Sequence, residues 1–188
     1  MPKDILYRHV TELITTTYKD FAIYACGGFV RDLALGIEPK DLDLVVSTNP
    51  EVFADELSKI LESNYFVLDE TRNIFRITYS RSDVILNIDI SELVVSIEND
   101  ALTRDFTINT LYISLDKLLV ENPIQYIIDP LKGLSHLNHR KLIAVNEDVF
   151  KDDTIRLLRA VRLSEFLNLE IDNQTKKRIR EDSKLIQN

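Results

Sequence analysis

Residues 26–46 read Cys26-Gly-Gly-Phe-Val-Arg-Asp-Leu-Ala-Leu-Gly-Ile-Glu-Pro-Lys-Asp-Leu-Asp-Leu-Val-Val46, and their order decides the fold. The short apolar run Phe21–Ala25 stops at Gly27-Gly28 and predicts a buried strand. Phe29–Leu35, closed by Gly36, predicts a helix with a glycine C-cap. Leu42–Val46 predicts a second strand, entered through Asp41 and Asp43. Two glycines between strand and helix let the backbone approach a ligand, and a helix N-terminus at that place favours phosphate. The i, i+2 spacing sets both carboxylates on one face of the strand. Side by side they repel unless a cation lies between them, and oxygen-only ligands suit Mg²⁺. A phosphate cradle next to a Mg²⁺ pair is what phosphoryl or nucleotidyl transfer requires. Alone, a Gly-Gly pair is usually a turn and an Asp-x-Asp a solvated strand edge. Their order and spacing together are the specific signal.

Working outward, Ile5, Val10, Leu13 and Ile14 recur at roughly helical intervals within residues 4–19 and predict an amphipathic helix. Asn49-Pro50 starts another helix that runs through Leu61, with proline suited to the first helical position. Tyr65–Leu68, Ile74–Tyr79 and Val84–Ile90 predict three strands. A helical stretch around Glu98–Leu102, the segment Phe106–Ile113 and a last strand near Tyr126–Ile128 complete this part. From Asn146 the texture changes, since Asp153–Asn168 and Asp172–Ile186 are helical with no strand between them. The expected organisation is an α/β (α+β) catalytic domain over 1–145, with a mixed sheet and flanking helices. The start of an all-helical domain over 146–188 follows it. The sequence stops soon after that second helix, which suggests a piece of a longer protein or an unusually short one.

Composition bounds the function. The chain has 188 residues, 45% apolar and 29% charged, enough for one sizeable core. No run of 18 apolar residues and no leader-like segment is present, which argues against membrane spanning and secretion and makes a cytoplasmic address the default. A single cysteine, Cys26, excludes an internal disulfide framework and a Cys-rich zinc site. His9, His136 and His139 have no metal-ligand spacing with it and read as surface or hinge residues. The net charge of −8 argues against a nucleic-acid partner, but residues 151–188 carry nine Lys/Arg against seven Asp/Glu. The acid lies in front and the base behind.

The stretch GGFVRDLALG followed by DLDL resembles the signature of the class II tRNA nucleotidyltransferase and bacterial poly(A) polymerase family, within the polymerase-β superfamily. The resemblance implies a polymerase-β-like head with part of a helical neck. It assigns Gly27 and Gly28 to the triphosphate, places Arg31 near it, and gives the catalytic metals to Asp41 and Asp43. Three further matches follow in family order. Thr103-Arg-Asp-Phe-Thr-Ile-Asn109 is similar to the motif that contacts the incoming ribose, which makes Arg104, Asp105 and Asn109 candidates; Thr103 stands where the family usually has another arginine. Asp129-Pro-Leu-Lys-Gly133 resembles a structural turn between head and neck. Phe150–Arg162 resembles the base-selecting helix, with Asp152 in place of the usual glutamate. Asp89, on an apolar strand, sits where relatives place a further acid near the metals. A buried acid is costly unless paired or metal-bound.

The base-selecting chemistry can also be argued from the residues. Asp153 and Arg156, i, i+3 at a helix start, share a face, and a donor fork held beside an acceptor can mimic a complementary base. Asp152, four residues before Arg156, would steady the guanidinium. The plainer reading is a capping acid with an ordinary surface ion pair. Arg159 and Arg162 extend the stripe toward phosphate or toward neighbouring carboxylates.

Together these readings predict in-line transfer of CMP, and of AMP, from CTP and ATP to a tRNA 3′ end with Mg²⁺. Pyrophosphate leaves and no covalent enzyme intermediate forms. A poly(A) polymerase, a non-catalytic nucleotide- or RNA-binding homologue, and a fragment that needs a C-terminal body remain as rivals. By resemblance, enzymes that add the full CCA end carry a flexible, arginine-containing loop between the Asp89 strand and the Thr103–Asn109 motif. Here Ser91-Glu-Leu-Val-Val-Ser-Ile97 contains no arginine or lysine, and its apolar centre is expected to pack. A CC-adding enzyme is therefore favoured over a CCA-adding one.

Overall fold

The computed structural model describes residues 3–187. The chain forms two compact units. One comprises the residues up to Val95 with Tyr112–Ile128, the other Ser96–Leu111 with the residues from Asp129 on.

The first unit is built on a six-stranded mixed sheet in the order β3-β4-β5-β2-β1-β6. Its strands are β1 (Ile23–Cys26), β2 (Asp41–Val46), β3 (Tyr65–Asp69), β4 (Ile74–Arg81), β5 (Val84–Glu92) and β6 (Tyr112–Ser114). β2 runs parallel to β5, and every other pairing is antiparallel. Three helices accompany it: α1 (Lys3–Thr17), α2 (Gly27–Ala34) and α3 (Pro50–Ile60). α1 packs against β5 and α3 against β4. α1 buries Leu6, Val10 and Ile14, a 4-residue repeat that places Leu6, rather than the expected Ile5, in the core. α3 starts as its sequence dictates, with Pro50 in the first turn and the Asn49 side chain accepting from the Glu51 and Val52 amides at 3.0 and 3.1 Å. Because strand side chains alternate, Leu42, Leu44, Ile77, Ile88 and Ile90 fill the core. Asp41, Asp43, Arg76, Asn87 and Asp89 are left to the opposite, polar face.

The second unit holds α4 (Ile97–Thr103), α5 (Gly133–Asn138), β7 (Lys141–Leu142), α6 (Val149–Asp152), α7 (Ile155–Leu167), β8 (Glu170–Ile171) and α8 (Asn173–Asp182). Its core gathers Phe106 and Phe150, whose ring centroids lie 6.3 Å apart, with Leu157, Ala160 and Leu163. Asp172 caps α8 by accepting from the Gln174 amide at 2.7 Å.

Four expectations are corrected. The strand near Tyr126–Ile128 is reduced to a single bridge between Ile128 and Tyr112, and the sixth strand is Tyr112–Ser114. The helix expected from Asp153 breaks at Asp153, whose backbone is extended, so α6 and α7 are separate. A short strand, β8, does lie between α7 and α8 and pairs in parallel with β7. Val94 and Val95 do not pack: they are 46% and 88% exposed, while Leu93 donates its amide to the Val46 carbonyl at 2.9 Å. The second compact unit takes Ser96–Leu111 together with the residues from Asp129 on. The backbone of 105–107 is bonded to that of 143–145, through Thr107 N–H to Ile143 O at 2.9 Å and Val145 N–H to Asp105 O at 3.2 Å. That pairing ties the Ser96–Leu111 segment to the later residues. Among the described residues no helix is long and apolar enough to cross a membrane.

Candidate active site

In the first unit the site grows from the turn between β1 and α2. Gly27 has φ +64°, a left-handed backbone that glycine adopts without strain, and it opens α2 directly after the extended Cys26. Cys26 is buried, and its thiol donates to the Asp43 carbonyl at 3.6 Å. The N-cap residue of α2, Cys26, supplies no side-chain cap. Instead the Phe29 amide donates to Asp43 Oδ2 at 3.4 Å, so the helix N-terminus already faces an anion. A Cβ on Gly28 would meet Arg31 Nη2 at 3.4 Å and Asp43 Oδ2 at 3.6 Å. Gly28 thus lies against both candidate groups. Arg31 is buried, and its Nε donates to Asp32 Oδ1 at 2.8 Å.

The carboxylates are set by sheet register. Asp41 pairs with Asn87 and Asp43 with Asp89 across the parallel β2–β5 ladder. Asn87 Nδ2 donates to Asp41 Oδ1 at 2.9 Å. Asp89 is taken by a cation: Arg76 Nε and Nη2 donate to its two oxygens at 2.6 and 2.7 Å. Hydrogen bonding to Asp89 above all, helped by the charges of Asp89, Asp41 and Asp43, outweighs partial burial and raises the Arg76 pKa. Asp89 therefore satisfies its strand position as one half of an ion pair. Among the described residues no group of three or more His, Cys, Asp or Glu side chains has metal-binding geometry. Two carboxylates on adjacent positions of one strand face still fit Mg²⁺, which takes one or two carboxylates together with water and substrate phosphates.

In the second unit, two of the candidate motifs are bound to each other. Arg156 is buried and donates from Nη2 to the Thr103 carbonyl at 2.7 Å and from Nη1 to the Val149 carbonyl at 3.3 Å. Arg159 Nε donates to Asp105 Oδ2 at 2.8 Å. Asp105 Oδ1 accepts from the Phe106 amide at 2.8 Å and from Asn109 Nδ2 at 2.9 Å. Burial pushes the Asp105 carboxyl up, but the Arg159 charge and these hydrogen bonds outweigh it and hold its pKa below the usual range. Arg104 is paired with Asp100, Nε to Oδ2 at 2.8 Å. The Thr103 hydroxyl donates to the Asp100 carbonyl at 2.7 Å.

Asp153 and Arg156 do not share one helical face, because Asp153 precedes α7. Its Oδ1 accepts from the Ile155 amide at 2.9 Å, and its Oδ2 lies 3.9 Å from Arg156 Nε. Among the described residues Asp152 makes no ion pair with Arg156; it is exposed at the end of α6. Arg162 is exposed on α7. The turn at Asp129 is structural, as its residues suggest. Asp129 Oδ1 and Oδ2 accept from the Gly133 and Leu134 amides at 2.6 and 3.0 Å. A Cβ on Gly133 would stand 2.3 Å from the Thr107 carbonyl oxygen, so only glycine allows that approach. His136 is half-buried: its Nδ1 lies 2.8 Å from the Thr107 hydroxyl, and burial lowers its pKa. Arg76, Asn87, Asp32 and Asp100 are partners of the candidate residues that the sequence did not point to. The i, i+2 spacing of Asn87 and Asp89 could have placed Asn87 on the carboxylate face; Arg76 needs the β4–β5 register.

Against known proteins, the Poly A polymerase head domain family matches residues 23–143. The chain is 29% identical to poly(A) polymerase I of Salmonella typhi over 92% of its length and 40% of that protein's. It is 31% identical to an A-adding tRNA nucleotidyltransferase of Deinococcus radiodurans, over 82% of its own length and 33% of that protein's. It is 30% identical to a CC-adding tRNA nucleotidyltransferase of Synechocystis over 92% and 41%. The Thermotoga maritima CCA-adding enzyme, solved in complex with tRNA, superposes with a TM-score of 0.76 at 29% identity, covering 97% of this chain and 42% of that one. The chain thus spans well under half the length of these relatives. Because the matched segment encloses the glycine pair, both aspartates of β2 and the 103–109 motif, the chain belongs to the Poly A polymerase head domain family.

Proposed function

We propose that this chain carries the transfer chemistry of a tRNA nucleotidyltransferase, adding CMP from CTP to the tRNA 3′ end without a template. The observation that carries this is the Asp41–Asp43 pair, in register with Asn87 and Asp89, with Asp43 accepting from a first-turn amide of α2. The reaction is in-line attack by the RNA 3′-hydroxyl on the α-phosphorus of the NTP, with pyrophosphate as leaving group. Asp41 and Asp43 would hold Mg²⁺, which when bound lowers the hydroxyl pKa and offsets charge on the triphosphate. Gly27 and Gly28 let the triphosphate approach the first-turn amides of α2, and Arg31 adds positive charge beside them. Arg104, Asp105 and Asn109 recognise the ribose, with Asp105 kept ionised by Arg159. Asp153 and Arg156 present an acceptor and a donor to the base, while Arg156 also fixes the Thr103 carbonyl. Arg162 remains as a phosphate contact. In this role Asp89 acts through Arg76 and is not a metal ligand. The head domain of 1–145 and neck from 146 are the functional division, with a cytoplasmic address; ATP is a second substrate in the alternative, full CCA-adding reading.

CC addition is favoured because only Leu93–Ser96 connects β5 to α4, without an arginine or lysine. A pocket with no lever stays in the state it already populates. Incubation with tRNA lacking its 3′ end and each NTP singly should show CMP addition. With tRNA ending in CC and ATP alone, no product should form; efficient A addition would make the enzyme CCA- or A-adding, and long A-tracts a poly(A) polymerase. Absence of any incorporation would leave a binding homologue or a fragment needing further domains.

A further inference from the structure

Beyond the carboxylates, the polar face of the first unit's sheet ends in an aromatic side chain that packing does not explain. Phe66 pairs with Arg76, Arg76 with Asp89, and Asp89 with Asp43, so one row runs Phe66–Arg76–Asp89–Asp43 across four adjacent strands. The neighbouring Tyr65 turns to the other face, where its ring meets Phe75 with centroids 6.0 Å apart. Phe66 is 50% exposed. The adjoining rows hold Thr78, Asn87 and Asp41, then Ser80 and Ile85, the last 56% exposed. An exposed ring on a strand face, with a guanidinium directly across from it and hydroxyl and apolar side chains in the rows beyond, has the make-up of a base-stacking platform. Pairing of β3 with the edge of a second copy is the competing use of this strand. The register shift between Val67 and Asp69 interrupts that edge, which is how sheets blunt such pairing.

We propose that Phe66 and Arg76 form a subsite for the single-stranded 3′ end of the RNA acceptor, with Phe66 stacking on a base upstream of the reacting hydroxyl. This rests on the reading of Asp41 and Asp43 as the transfer site. Three strand spacings of about 4.8 Å put Phe66 roughly 14 Å from Asp43, the span of a few nucleotides. Arg76 is the one cation in the row, and it offsets carboxylate charge along the path of a phosphate backbone. Stacking tolerates any base, which suits an acceptor whose last nucleotides change as it grows.

The chain contains no tryptophan, so Phe66→Trp installs a single indole fluorophore at the subsite. Titration with a single-stranded RNA oligonucleotide should quench its emission saturably. An abasic residue at one position near the 3′ end should abolish that quenching. In steady-state transfer, Phe66→Ala and Phe66→Leu should each raise KM for the RNA acceptor about tenfold, with KM for CTP unmoved. Phe66→Leu keeps the apolar volume without the ring, so a wild-type KM in that variant would overturn stacking. Absence of quenching, or quenching indifferent to abasic substitution at every position, would overturn the subsite. So would a concentration-dependent dimer that Phe66→Ala dissolves. If the unaltered chain transfers no nucleotide while Phe66→Trp is still quenched at one position, the transfer reading fails and the subsite stands.

Discussion

Asp43 and Asp89 face each other across one ladder step, yet their surroundings assign them different work. The Phe29 amide donates to Asp43 at 3.4 Å, whereas both Asp89 oxygens are held by the Arg76 guanidinium. Asp43→Ala should therefore lower the transfer rate by about 10³-fold or more with the fold intact, since metal-held charge stabilisation is worth several kcal/mol. Asp89→Asn should cost less than about tenfold, because it weakens a partly exposed ion pair only. Equal losses in single-turnover assays would make Asp89 a metal ligand after all. A similar division separates Asp153 from Arg156. Two backbone carbonyls, of Thr103 and Val149, rely on the Arg156 guanidinium, and Lys cannot reproduce its fork. Arg156→Lys should thus lower stability by about 1–3 kcal/mol, read as a fall in the denaturation midpoint. Asp153→Ala should instead flatten discrimination among the four NTPs, and unchanged selectivity would remove Asp153 from base selection.

At the scale of elements, Gly133 shows how a structural turn supports the chemistry. α5 begins at Gly133 because Asp129 caps it and because no Cβ blocks the Thr107 carbonyl. Gly133→Ala would force α5 and the Thr107–Asn109 turn apart. The expected cost is at least about 1–3 kcal/mol of stability, as for other overpacked sites, accompanied by a raised KM for NTP through displaced Asn109. Thermal unfolding and NTP kinetics check both. The sequence announced this turn through its Asp-Pro…Gly spacing, just as Asn49-Pro50 announced α3 and Gly27-Gly28 announced α2. Such signals are local: a cap, a φ > 0, a strand period. What stayed illegible needed partners distant in sequence. Val94 and Val95 look like core by composition, yet they are half and almost fully exposed. Tyr112–Ser114 is too short to show a period and becomes a strand only because β1 offers its edge. Asp153 leaves the helix because its side chain serves the Ile155 amide. The catalytic pair was legible for the same reason the caps were, an i, i+2 spacing beside a glycine turn. Its surroundings, Asn87 and Arg76, were set by register.

For the molecule as a whole, stability has a pH signature set by two groups of the second unit, His136 and Asp105. The chain has three histidines, and of these His136 is packed against the Thr107 hydroxyl in the second unit. Burial, the largest influence, lowers its pKa despite the opposing charges of Asp129 and Asp172. The folded protein therefore prefers the neutral ring. Above the unfolded value near 6.5, both states hold neutral imidazole and the shift costs nothing. As the pH falls below that value, the unfolded chain takes up a proton that the folded chain refuses, and stability declines until the folded pKa is passed. Carboxylates act lower on the scale. Asp105, held ionised by Arg159 against its burial, gives stability above its unfolded value that is lost only as the pH falls through its depressed folded pKa. Chemical denaturation followed from pH 8 downward should thus show a first loss beginning just below about 6.5, and a second at distinctly more acid pH. His136→Asn, whose amide can still meet the Thr107 hydroxyl, should erase the first loss and leave the second. If the first loss persists in His136→Asn, proton uptake elsewhere drives it, and the packing of the imidazole on Thr107 has no part in the acid response.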